Sequence, residues 1–200
     1  MRKTIRAAVM VLAIAVAGPV VAGQFEDGEA LFLQKQKDYA ATLRFLRPMA
    51  DRGNTVAAVF LGHMYSLGRD APLDYVEAVK WYRMAAEKGN ADGQSMLGFM
   101  YSLGQGVPLN DGLAAKWVRL AADQGLATAQ GSLGLKYAGG KGVPLDYALA
   151  YMWLNLAAAG GYTDAATWRD GLARKMTPTQ IAEAQRLSRK WKPVTRPTTK

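Results

Sequence analysis

Cysteine is absent from the 200 residues, and His63 is the one histidine. The first absence excludes a disulfide scaffold, a thiolate metal site and a cysteine nucleophile. The second leaves any imidazole metal site without a second ring. Ser-x-x-Lys, His-Glu-x-x-His and Gly-x-x-x-x-Gly-Lys are missing too, so the familiar serine, zinc and phosphate-loop chemistries have no foothold. Strongly polar, core-poor composition is also lacking. Half of the residues are apolar, which rules out a disordered chain.

What is present begins with an export pattern. Arg2, Lys3 and Arg6 precede an apolar run from Ala7 to Ala17, then Gly18-Pro19 and small residues. This reads as a secretory signal peptide over 1–23, cleaved after Ala22 or Gly23. The run is shorter than the ~20 residues a membrane-spanning helix needs, and no lipid-bearing cysteine follows it. A periplasmic or secreted protein is expected, away from cytosolic nucleic acid and nucleotide cofactors.

Shifting the sequence by 36 residues brings it into register with itself, the mark of a solenoid. Leu61-Gly62, Leu97-Gly98 and Leu133-Gly134 align, as do Tyr65, Tyr101 and Tyr137. Pro72, Pro108 and Pro144 follow, then Asp74, Asn110 and Asp146, then Trp81, Trp117 and Trp153. Paired alanines and Gly89, Gly125 and Gly161 close each unit. Within a unit, Ala58, Leu61, Gly62 and Tyr65 make one helical stripe over roughly 56–67. The glycine beside leucine lets another helix approach closely. Asp74 caps a second helix with Glu77 three residues on, and Asn90 caps the next helix.

Leu-Gly-x-x-Tyr, Gly-x-Gly-Val-Pro, Asp or Asn, and Ala-x-x-Trp-x-x-x-Ala-Ala-x-x-Gly together resemble the Sel1-like repeat, a relative of the tetratricopeptide repeat. The resemblance implies an all-α fold, a right-handed α-solenoid of stacked antiparallel helix pairs that binds other proteins as an adaptor or regulator. Repeats are expected at 55–90, 91–126 and 127–162. A degenerate opening pair at 24–54 precedes them, with a helix near Phe25 to Lys35 and a kink at Pro48. Capping helices at 163–192 and a basic flexible tail at 193–200 follow. Arg69-Asp70-Ala71 departs from the loop pattern, and Val118 stands where the first copy has Tyr82. Cysteine-rich exported relatives linked to β-lactams share neither this chain's cysteine content nor an obvious acylation site with it, so that activity is not carried over.

The stripe places Trp81, Trp117 and Trp153 in the core, which argues against a cell-wall glycan platform. The glycines of Gly104-Gln105-Gly106 and Gly139 to Gly142 are repeat punctuation rather than a phosphate cradle. Opposite the stripe, the first helices carry Phe60, His63 and Leu67, then Met96, Phe99 and Leu103, then Ser132 and Leu135. Such an apolar row on the expected concave side suits a partner helix or extended peptide. Contact with a partner is expected for Phe60, His63, Met96 and Phe99. Leu67 and Leu103 stand equally to be buried between neighbouring first helices.

Residues 24–162 hold 13 basic and 13 acidic side chains, whereas 163–200 hold 9 against 3. The basic end, with Lys190, Lys192, Arg196 and Lys200, is either a solubilising tail or a contact for anionic lipid or cell-wall polymer. A monomeric, non-catalytic protein-binding scaffold without cofactor or metal is the expectation. The alternatives are an envelope enzyme or accessory acting on peptidoglycan or β-lactams and, second, a cell-wall glycan-binding platform.

Overall fold

The computed structural model describes residues 39–68 and 72–194, arranged entirely as helices and short connections. The expected export signal, the helix near Phe25 to Lys35, the Arg69-Asp70-Ala71 loop and the tail beyond Val194 lie outside these residues.

In chain order the helices are α1 Tyr39–Asp51, α2 Thr55–Leu67, α3 Tyr75–Glu87, α4 Ala91–Leu103, α5 Asp111–Asp123, α6 Ala127–Gly139, α7 Tyr147–Ala159, α8 Thr163–Ala173 and α9 Pro178–Lys190. Each packs on its neighbour in sequence from α1 to α8, α9 returns onto α7, and α2 also meets α4. This is the connectivity of stacked antiparallel helix pairs. Among the described residues no helix is long and apolar enough to cross a membrane.

The repeated register sets each boundary. Asp74, Asn110 and Asp146 accept the backbone N–H three residues on, at 3.0, 2.9 and 2.9 Å, and so start α3, α5 and α7. The Glu77 side chain turns instead to Arg47 at 3.5 Å and Lys80 at 3.3 Å. Asn54 and Asn90 cap α2 and α4, while Leu126 at the same place before α6 offers no side-chain acceptor. First helices end on a left-handed glycine, as at Gly104 with φ 65°. α1 runs unbroken to Asp51 with Pro48 inside it.

Leucine followed by glycine is what brings the two helices of a pair together. Leu61, Leu97 and Leu133 are fully buried. A methyl group on Gly98 would sit 2.7 Å from Val118 Cγ2 and 3.0 Å from the Ala114 carbonyl oxygen. Gly62 faces the Tyr82 ring and Gly134 faces Leu154 in the same way, so Tyr82, Val118 and Leu154 fill one equivalent slot. Trp81 and Trp153 are buried, and Trp117 is partly buried against the same core. Core side chains form two successive clusters, Leu46 to Met100 and Val118 to Ala184.

At the end, α9 carries the full start signal, with Thr177 and Gln180 capping each other's backbone and Pro178 in the first turn. Ala184 is buried, Ile181 and Leu187 pack against the core, and Trp191 meets Trp153 edge-on at 6.0 Å. Pro193 and Val194, assigned to the tail from sequence, instead lie against the C-terminal end of α5. The Val194 N–H donates to the Asp123 carbonyl at 2.8 Å.

Candidate functional site

The apolar row on α2, α4 and α6 divides in two. Leu67, Phe99, Leu103 and Leu135 are 50%, 52%, 48% and 42% exposed. Phe60 and Met96 pack against the first core cluster instead, and His63 is half-buried. What lies beneath them leaves these three partly buried, more so than the leucines and Phe99. His63 is drawn in because its Nδ1 and the Tyr82 hydroxyl are 3.0 Å apart, with Ser66 Oγ also 3.0 Å from that hydroxyl. The rings of His63 and Tyr82 meet edge-on at 5.4 Å. One unit later Val118 replaces Tyr82, offers no hydroxyl, and Phe99 in the place of His63 stays outside.

Burial lowers the His63 pKa from its ordinary 6.5, and it also raises that of Tyr82. Both groups are therefore neutral near pH 7. The pair is a partly buried polar contact that fixes α2 against α3. Among the described residues no group of three or more His, Cys, Asp or Glu side chains is placed to hold a metal ion.

Two further in-register sets belong to this surface. Leu73, Leu109 and Leu145 precede the caps of the second helices and are each more than half exposed. They extend the row of Leu67 and Leu103 around the turn between the helices of each pair. Arg47, Arg83 and Arg119 donate to the hydroxyls of Tyr65, Tyr101 and Tyr137, joining each second helix to the next first helix. The tyrosines are thus half in the core and half in a polar tie, and Arg83 is more than a solvated charge. Both sets keep the 36-residue step, which is the signal that finds them.

A Sel1 repeat family model matches residues 55–90, 91–126 and 127–162, just over half of the chain. This chain is a Sel1 repeat protein. The Sel1 repeat protein from Oxalobacter formigenes, a solved structure, is 37% identical with a TM-score of 0.59, covering 64% of this chain and 97% of that one. A second solved structure is c5321, described as a protective antigen present in uropathogenic Escherichia coli strains displaying an SLR fold. It is 28% identical with a TM-score of 0.59, covering 84% of this chain. This chain spans 44% of the length of c5321. No curated protein matches. Sel1 repeat proteins generally mediate protein–protein interactions and are typically non-catalytic scaffolds, and the exposed leucines and Phe99 are where this one offers apolar surface.

Proposed function

We propose that this protein is an exported, non-catalytic adaptor of the bacterial envelope that holds a partner peptide or helix on its first-helix face. The observation that carries this is the run of half-exposed Leu67, Phe99, Leu103 and Leu135 on three successive first helices. Well-packed caps and cores elsewhere leave these side chains without a cover of their own, and contiguous apolar surface of this kind marks a binding site. Leucine and phenylalanine at helical spacing match the anchors of a helix laid in a groove. The export reading rests on the basic head and short apolar run of residues 1–23.

Photo-cross-linkers placed at Phe99 and Leu103 in living cells test site and location together. A discrete adduct from the periplasmic fraction, lost in Phe99→Asp with Leu103→Asp while the helical spectrum is kept, is expected. An adduct unchanged by that pair, or protein retained in the cytosol with its first 23 residues attached, overturns the corresponding half of the reading.

A further inference from the structure

The first helices of the repeats are almost without charge. Across α2, α4 and α6 the acidic and basic side chains are Asp92 and Lys136 alone. Lys136 is buried and meets Asp111 of α5 at 3.7 Å. Asp92 is left over. Among the described residues no ion pair or side-chain hydrogen bond engages its carboxylate. Burial lifts its pKa above the ordinary carboxylate value, with no nearby cation to oppose the rise.

The helix itself does not call for this acid. A carboxylate in the first turn suits the helix dipole, but Asn90 already caps α4 by accepting the Gly93 N–H at 2.9 Å. At the same step α2 has Val56 and α6 has Thr128, and both helices form without an acid there.

Position gives Asp92 a use. Asp92, Met96, Phe99 and Leu103 follow one another at four, three and four residues, which puts them on one face of α4. On that face Phe99 and Leu103 stand half-exposed. At about 1.5 Å per residue, Asp92 lies roughly 16 Å along the helix from Leu103. A second helix, about 10–12 Å across, fits within that width. Its apolar stripe then covers Leu103, Phe99 and Leu67, and one flank faces Asp92.

We propose that the first-helix face takes an amphipathic helix of a partner protein with arginine or lysine on the flank toward the N-terminal end of α4, the cation pairing with Asp92. This rests on the first-helix docking proposed above and fixes the charge and orientation of the helix selected. Complementary charge at the edge of an apolar contact sets register and rejects wrong partners.

The probe is the capped peptide Gln-Leu-Ala-Arg-Leu-Leu-Gln-Arg-Leu-Ala-Gln-Leu, whose leucines form one stripe with both arginines on one flank. It is held helical by a hydrocarbon staple on its outer face, labelled for fluorescence anisotropy and titrated into the purified protein. Versions with Gln or Glu for both arginines serve as comparisons. The whole chain carries a formal charge of +9, so non-specific attraction favours the Glu version. The expected order is the reverse, Arg over Gln over Glu, with Arg ahead of Glu by about fivefold or more and the gap narrowing with added salt. Asp92→Asn brings the Arg and Gln versions together, and Asp92→Arg puts the Glu version first. Phe99→Gln with Leu103→Gln, which adds no charge, weakens all three while the helical spectrum is kept. Binding that the glutamine pair abolishes but that ignores peptide charge or Asp92→Asn, or that favours the Glu version on the unaltered protein, overturns the role of Asp92 and leaves the face as a docking surface. No binding by any version at millimolar peptide, or binding that survives the glutamine pair, overturns the first-helix reading and the Asp92 pairing with it.

Discussion

Single residues in this protein are chosen by what stands across the helix pair. Gly98 has Val118 on one side and the backbone of α5 on the other, with the Val118 nitrogen 3.1 Å from where a methyl would go. Backbone cannot step aside as a side-chain tip can. Gly98→Ala is therefore expected to cost about 1–3 kcal/mol, read as a lower urea midpoint with an unchanged slope. His63 gives a second residue-scale test. Because burial holds its pKa below 6.5 in the fold, the unfolded chain takes up the proton first as pH falls. Its contribution is whole above about pH 6.5 and drains as pH drops below that, levelling once folded His63 is also protonated. Asp92 and Asp123, pushed up by burial, work in the opposite direction at lower pH. Comparing melting temperatures at pH 7 and pH 5 with His63→Gln isolates the histidine, and the loss on acidification is expected to shrink in that variant. The inward turn of His63 was not legible from the face it occupies, since it depends on the Tyr82 hydroxyl meeting it from another helix.

At the scale of elements, caps and glycines written into the 36-residue step fixed where helices begin and end, and these were legible because they act within a few residues of their own position. Thr177 is the sharpest case. With Gln180 it forms the full capping box of α9, and Thr177→Ala is expected to cost about 1 kcal/mol. Since Trp191 closes the same helix against Trp153, the change should appear in indole fluorescence before global unfolding. What escaped the one-dimensional pattern was side-chain reach between units. Arg83 sits on a face that reads as solvated, yet the guanidinium spans to Tyr101 at 3.1 Å. Likewise Pro193 and Val194 read as tail by composition, but the backbone hydrogen bond to Asp123 comes from a repeat some 70 residues earlier. Gln94 and Gln130 make the same point inside the core, each donating its amide to the last turn of the preceding helix at 3.2 Å.

For the whole molecule the decisive property is that contacts link neighbours and little else. Two core clusters divide near the boundary between Met100 and Val118, and α9 folds back onto α7 rather than reaching the first repeat. In such a chain stability is close to a sum of unit and interface contributions, so damage stays local. Deleting residues 176–200 removes Ala184 and Trp191 from α7 and uncovers Trp153, whereas α2 and α3 pack chiefly on each other, α1 and α4. Hydrogen exchange is expected to show lost protection in α7 and in the Asp123 end of α5, with α2 to α4 retaining theirs. A uniform rise across all helices would mean that the units fold as one cooperative body, and the exposed row on the first helices would then be coupled to the C-terminal cap. The local outcome instead leaves that row independent of the C-terminal cap, open to change without cost to the packing of α9 on α7.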